Sequence, residues 1–376
     1  MMRLFVAYAT LLFLATRSPV LGAASDTIIR HGPFRVEFSG SYDKRFAALD
    51  GDVERWMRSN AIPAAELAVR KSGKLIVSHA YTYGAARPTV TTTNVMRLAS
   101  VSKMMATAAV TTLYAQGKLS GSTLVFPYLG IAHPLVPGAH PDKNINTVTV
   151  AELVAHTGGF DGEGSGDPLF TMRDIEVQIG HEPLTKREFA RYIYGLPLLF
   201  KPGSQTLYSN VGYVLLGMVV EKATGMSFFD YMNSQILSPL GLANFSLGAT
   251  RYAERNPAEV IPSDPYTGQS VFDISQNAMM EPFDYAGGDI IWENADSASD
   301  FETNAESISR FIGTYDVYGL GGRQYDYARD GCVPGVATWA ESLTADIDFA
   351  LFFNGGPCLG FSSTVIENVR GALGGM

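Results

Sequence analysis

The stretch "RLASVSKMMATAAV", residues 97–110, decides how the rest of the chain is read. It predicts a helix from about Ser100 to Gln116, ended by Gly117, which takes left-handed backbone at little cost. Lys103 is the one charge inside that apolar run, and lysine is rarely buried without a partner. Ser100 and Lys103 are three residues apart and share a helical face; Ser102 and Lys103 do not. A serine hydroxyl is a poor nucleophile until a base takes its proton. For lysine to be that base its pKa must fall from about 10.4 to near 7, roughly 4 kcal/mol. Apolar neighbours such as "MMATAAV" push an amine in that direction. A helix start also offers backbone N–H groups to a developing oxyanion. The plainer alternative is a surface lysine at the start of a helix.

The spacing is not unique. Ser41-Tyr42-Asp43-Lys44 repeats it but opens no apolar helix. A second signal sits at Tyr208-Ser209-Asn210, between "KPGSQTL" and an apolar helix from 211. A tyrosine there is placed to relay a proton. Asn210 bonds the lysine or a substrate carbonyl, or caps the helix. Tyr231-Met232-Asn233 has the same pattern in mid-helix and reads as structural.

Working outward, residues 64–86 ("AAELAVRKSGKLIVSHAYTYGAA") read as a hairpin turning at Ser72-Gly73. A helix at about 50–59 precedes it, with Trp56 facing inward. Residues 24–46 form a leader with little pattern. Thr149-Val150-Ala151-Glu152 is a capping box, and "HTGGF" (156–160) breaks the helix it starts. "DGEGSGDP" (161–168) reads as a loop near any site. Further helices are predicted at 186–195, from 211 to Gly225, over "SFFDYMNSQI" and over "AESISRFI". The C-terminal portion reads strand, strand, helix: "VATWAESL", "DFALFFN", "STVIENVRGAL". Sheet elements therefore lie at both ends, with a mostly helical insert at about 118–285. This is an α/β (α+β) layout: an antiparallel sheet from both termini, flanked by helices.

The chain has 376 residues, 46% of them hydrophobic and 17% charged, which describes a globular body and not a disordered one. The net charge of −9 excludes nucleic acid as a partner, because phosphates need a basic patch. Arg3, the apolar run "LFVAYATLLFLA" and the small residues of "VLGAAS" predict a signal peptide over 1–23, hence a secreted or extracytoplasmic protein. The alternative is an uncleaved anchor, but the run is short for a span. "VGYVLLGMVV" (211–220) is a buried helix by length, so no stable membrane span is expected after cleavage. Cys332 and Cys358 pair in an oxidising compartment or stay as two buried thiols. Asn244-Phe245-Ser246 is a glycosylation sequon. The histidines are scattered and the cysteines lack ligand spacing, so neither a metal nor a cofactor is expected.

Together "RLASVSKMMATAAV", "VTVAELVAHTGGF", "FKPGSQTLYSNVGYVLLGMVVEKATGMSFFDYMNSQILSPLGL" and "YAGG" resemble the β-lactamase-related serine hydrolases. That family includes class C β-lactamases, D-Ala-D-Ala peptidases and related esterases. The likeness runs from about 47 to 248 and resumes from "YGLGG" (318–322) to "LFFNGG". It implies a single hydrolase domain over 47–376. It also implies that Ser100 is acylated, with Lys103 and Tyr208 as bases and Asn210 as a polar contact. His156 matches a structural family histidine. A third family motif, Lys or His, a small residue, then Gly, falls on Arg329-Asp330-Gly331, so the chain departs from it at the first position; the resemblance implies that Arg329, Gly331 and Cys332, with Asn210, contact the substrate. "KATG" (222–225) ends a helix and is no substitute. Arg329 keeps the positive charge for a carboxylate but does not give up a proton; a surface salt bridge is its plainer reading. The N–H of Ser100 and that of Cys332 would hold the oxyanion. A Cys332–Cys358 disulfide would pin the second donor. No counterpart of the class A deacylating glutamate is found, so deacylation would follow the class C manner.

The expected activity is cleavage of an ester, amide or lactam in a small or peptide-like substrate. The competing expectation is a non-catalytic scaffold or binding protein, including a peptidoglycan-binding module. Arg329 and the insert at 289–305 support the latter.

Overall fold

The predicted hairpin forms the centre of the largest sheet. Strands Ala64–Lys71 and Lys74–Tyr83 pair antiparallel. Ser72 and Gly73 link them with φ of 49° and 75°, the paired left-handed residues that match the twist of a tight hairpin. The C-terminal strands Tyr327–Val333, Val336–Ser342 and Ile347–Phe353 add to the same sheet. Ile347–Phe353 lies against Ala64–Lys71, Phe349 opposite Val69, so the two ends of the chain close one layer. The strand order is 28–31, 34–38, 74–83, 64–71, 347–353, 336–342, 327–333, antiparallel throughout. The computed structural model describes residues 27–160, 162, 166–263 and 266–376. The expected signal peptide and parts of "DGEGSGDP" lie outside the described residues.

The leader carries more structure than expected. Ile28–His31 and Phe34–Phe38 form a hairpin that extends the sheet past Lys74–Tyr83. Phe34, Val36 and Phe38 alternate inward. Arg35, between them on the other face, is buried as well. Its guanidinium donates to Thr89 Oγ1 and to the carbonyls of Gly84, Ala85 and Arg87.

Both sheet faces are covered, so the central strands are buried along nearly their whole length, polar members such as Glu66 and Asp348 included. Ala65, Leu67, Val69, Phe349, Leu351 and Phe353 pack toward helices Ala47–Ser59 and Thr364–Gly374. The other face carries mostly small residues, Ala64, Ala68, Ala80, Ala340 and Ala350. Small side chains there let helix Ala305–Phe311 lie close against the sheet. The insert is mainly helical among the described residues, with helices such as Met172–Ile179, Lys186–Tyr194 and Asn210–Thr224. Thr149 and Glu152 form the expected capping box. No helix among the described residues is long and apolar enough to cross a membrane.

Helix Ala47–Ser59 carries a fully buried carboxylate, Asp50, in its first turn. It accepts hydrogen bonds from His79 Nδ1, Tyr81 Oη and Tyr42 Oη, each at 2.7 Å. Burial alone would raise its pKa, but these donors outweigh burial and hold it below the usual carboxylate value. The network therefore stabilises the fold above the ordinary carboxylate pKa and fails as pH drops below it. Asp50→Ala strips three donors of their acceptor. The expected loss is about 3–5 kcal/mol in a urea melt at neutral pH, shrinking as the melt is repeated at lower pH.

Candidate active site

Ser100 owes its position to a forced turn. Strand Met96–Arg97 pairs with Phe301–Thr303. Leu98 N then donates to Phe301 O at 2.8 Å, and Leu98 O accepts from Thr338 Oγ1 at 2.8 Å. Ala99 follows with φ of 45°, a left-handed conformation that costs a residue with a Cβ about 1–3 kcal/mol. The buried contacts around it hold that strain. The chain is thereby thrown from strand into the short 3-10 turn Ala99–Ser102 and helix Lys103–Ala115. Within the turn Ala99, Val101 and Ser102 are buried, and only Ser100 is half-exposed. Ser102 Oγ is used structurally, accepting from Phe301 N at 3.1 Å.

Lys103 is completely buried. Its Nζ lies 3.0 Å from Ser100 Oγ, 2.5 Å from Asn210 Oδ1 and 2.9 Å from Ala298 O. The rings of Tyr208 and Tyr213 flank it, with centroids at 4.9 and 5.6 Å. Burial drives the amine's pKa well below its ordinary value. The Arg329 charge pushes the same way, against Asp167 and Asp330.

Tyr208 Oη is 2.5 Å from Ser100 Oγ and donates to Asn210 Oδ1 at 3.3 Å. Burial raises the phenol to about 12, although the Arg329 charge opposes this. The helix cap is Ser209, whose Oγ accepts from Gly212 N at 3.2 Å. Asn210 is therefore free to turn inward, which excludes its reading as the cap. Its Nδ2 donates to Asp167 Oδ2 at 2.6 Å, leaving Oδ1 toward the lysine. His156 stacks on Tyr208 and Tyr213, with centroids 4.7 and 4.9 Å away, and its Nδ1 accepts from Ser209 N at 3.1 Å. Burial pushes its imidazole down to about 3, so it is neutral and packs the tyrosine in place.

Strand Tyr327–Val333 is the sheet edge beside the turn. Arg329 is nearly buried, between the rings of Tyr213 and Tyr318, and its Nε donates to Ser100 O at 3.0 Å. Among the described residues it forms no ion pair, and its near-complete burial departs from a surface position. Gly331 corrects an expectation. It is not a wall of the cleft but the point where strand and turn touch: an added Cβ would sit 2.2 Å from Leu98 O and 2.9 Å from Val101 N. Cys332 does line the cleft and is disulfide-bonded to Cys358. Asn244 is exposed and lies outside this cleft.

A cleft of about 590 Å³ joins Ser100, Tyr208, Arg329 and Cys332 to Tyr318 and Phe361. Among the described residues no group of three or more His, Cys, Asp or Glu is placed to hold a metal ion. The two decoy motifs lie elsewhere: Lys44 is in a short turn at the start of helix Ala47–Ser59, and Tyr231 and Met232 are core residues. Two participants had no signature of their own. Ala298 acts through its carbonyl, and any residue type has one. Asp167 was legible only as a cap before Pro168, a role it fills by accepting from Leu169 N. Ala298 lies in the 289–305 insert, so that segment completes the lysine's surroundings.

A profile of the Beta-lactamase family matches residues 49–328, which takes in Ser100, Lys103 and Tyr208 and ends one residue short of Arg329. The putative D-alanyl-D-alanine carboxypeptidase of Salmonella typhimurium is 29% identical over 238 residues, 61% of this chain and 51% of that protein. Protein flp of Staphylococcus aureus is 26% identical over 235 residues, 60% of this chain and 44% of that protein. The chain thus spans about half the length of the curated relatives it matches. A D-amino acid amidase from Ochrobactrum anthropi superposes with a TM-score of 0.61 at 19% identity, covering 88% of this chain and 98% of that one. A class C beta lactamase gives 0.61 at 16%, covering 89% and 98%. At these identities the structural likeness is one of fold. The profile spans nearly three quarters of the chain and contains the whole serine–lysine–tyrosine cluster: the chain belongs to the beta-lactamase family.

Proposed function

We propose that the protein is an extracytoplasmic serine hydrolase that cleaves an ester or amide through an acyl-Ser100 intermediate. One observation carries the reading: a fully buried Lys103 Nζ stands 3.0 Å from Ser100 Oγ, with two further acceptors around it. A neutral amine has two N–H donors and one lone pair. Asn210 Oδ1 and Ala298 O take the donors, which aims the lone pair at the serine proton.

In acylation Lys103 accepts the Ser100 proton and Oγ attacks the substrate carbonyl. The N–H groups of Ser100 and Cys332 receive the negative charge on oxygen. Collapse of the tetrahedral adduct breaks the scissile bond as Tyr208 Oη passes a proton to the leaving group, and the proton that Lys103 took from Ser100 returns to the Tyr208 oxygen. Water then enters and attacks the acyl carbon, giving a proton to Lys103 by way of Tyr208 Oη; collapse of this second adduct frees the acid, and Lys103 returns that proton to Ser100 Oγ. With its phenol at about 12, Tyr208 is neutral near pH 7 and relays protons without a standing negative charge. Arg329, with its Nε on the Ser100 carbonyl, braces the turn and turns its remaining N–H groups to a substrate carboxylate. The relatives named as carboxypeptidases favour peptide-like amides ending in a carboxylate as first substrates to try. The signal peptide read at 1–23 and the disulfide support an extracytoplasmic site.

A fluorophosphonate probe tests this. Folded protein should gain one adduct, on Ser100, absent in Ser100→Ala. No adduct with any acylating probe would leave a binding protein of this fold. Tyr208→Phe keeps the ring packing on His156 but loses the relay. The expected result is a kcat lower by about 10²–10⁴-fold, with a burst of first product in stopped flow.

A further inference from the structure

We propose that Tyr318, Leu320 and Phe361 form a preformed subsite that selects substrates carrying a ring-sized apolar group. The proposal rests on the hydrolase reading above and names its substrate class. All three residues line the same cleft as Ser100. All three are also exposed, at 39%, 54% and 63%. A cluster of large apolar side chains left in water beside a reactive serine marks a surface that something apolar covers.

The wall is held rigid from both ends. On one side Asp316 Oδ1 accepts from Tyr318 N at 2.8 Å and from Leu320 N at 3.0 Å. Between them Gly319, with φ of 74°, touches the Ser100 helix so closely that a Cβ would lie 2.2 Å from Met104 O. Thr111 Oγ1 of the same helix donates to Gly319 O at 3.3 Å. Tyr318 also packs edge-on to Tyr327, centroids 6.0 Å apart. On the other side Phe361 stands edge-on to Trp339 at 5.1 Å, under the Arg370 guanidinium at 4.7 Å. Its loop is tied to the cleft by the disulfide from Cys358 to Cys332. Side chains fixed in this way lose little freedom when a ligand lands on them, which is what makes a preformed apolar surface selective.

The occupant is the apolar substituent of the substrate itself, because the wall is continuous with Ser100. A cleft of about 590 Å³ is far from filled by an acetyl group. The charged residues lining it, Arg329 and Asp330, carry opposite signs and leave this wall neutral.

The test compares kcat/KM for p-nitrophenyl acetate and p-nitrophenyl phenylacetate. The native enzyme should favour the phenylacetate by tenfold or more. Phe361→Ala, at an exposed position, should cut that ratio about tenfold, and Leu320→Asn should lower it as a second, independent variant. Hydrolysis of both esters with no preference, or a ratio unmoved in both variants, overturns the subsite and leaves the hydrolase intact; a lipid surface or partner protein would then be what covers the wall. An enzyme that turns over neither ester and takes no fluorophosphonate overturns the hydrolase reading and the subsite with it.

Discussion

Lys103→Ala should abolish acylation of Ser100, with the rate constant for probe labelling falling about 10³–10⁴-fold. The size follows from the surroundings. Ser100 Oγ has two polar neighbours able to take its proton, Lys103 and Tyr208, and the phenol is already protonated at neutral pH. Removing the amine leaves no base. Native labelling should rise with pH through a titration set by Lys103, at a pKa well below the ordinary 10.5. The same burial affects stability. A lysine whose folded pKa is lowered binds fewer protons folded than unfolded, so stability rises with pH between the folded value and the ordinary one. At neutral pH the native state carries that cost. Lys103→Met keeps the length, drops the titration, and should melt at a higher temperature than the native protein while being inactive. A Lys103→Ala protein that labels at the native rate would remove the lysine from the mechanism.

Gly331→Ala is expected to damage both fold and activity through one methyl group. Its Cβ would meet the Leu98 carbonyl oxygen at 2.2 Å, Thr338 Oγ1 at 2.5 Å and the Val101 nitrogen at 2.9 Å. Two of these are backbone atoms of the segment that carries Ser100, and they move only if strand Tyr327–Val333 parts from the turn. Overpacking of this kind costs typically about 1–3 kcal/mol. The separation also shifts Cys332 N–H and Arg329 relative to Ser100, and a displacement of about 1 Å at such a site lowers rates on the order of 10²-fold. Thermal melting and probe labelling, measured on the same preparation, should fall together. Loss of stability with unchanged labelling would show that the strand does not take part in the site.

How much of this was legible differs by kind of interaction. The hairpin at 64–83 and the helices from 103 and 210 follow from period and turn chemistry, which are local. So does the Ser100–Lys103 pair, since residues three apart meet on any helix. The second strand of the leader is legible in principle, since Phe34-Arg35-Val36-Glu37-Phe38 alternates apolar and polar, and a reading of 24–46 as patternless misses it. What no local pattern shows is the burial of Arg35, because the carbonyls it donates to are 49 to 52 residues away. The sequence left Asn210 as either a polar contact or the helix cap, and only the structure, in which Ser209 accepts from Gly212 N, resolved it. Gly331 was assigned to substrate because its motif was read as chemistry. Packing explains it instead.

By itself the sequence determined which residues could react: a serine with a lysine one turn on, a tyrosine ahead of a buried helix, and sheet at both ends to carry them. Those are properties of neighbours along the chain. Tertiary structure alone decided that the amine loses its water, that Asn210 Oδ1 and the carbonyl of Ala298 lie within hydrogen-bond reach of it, and that Tyr318, Leu320 and Phe361 line the same cleft as the serine. Burial and orientation depend on groups far apart in sequence, and a backbone carbonyl carries no residue identity for any reading of the sequence to find.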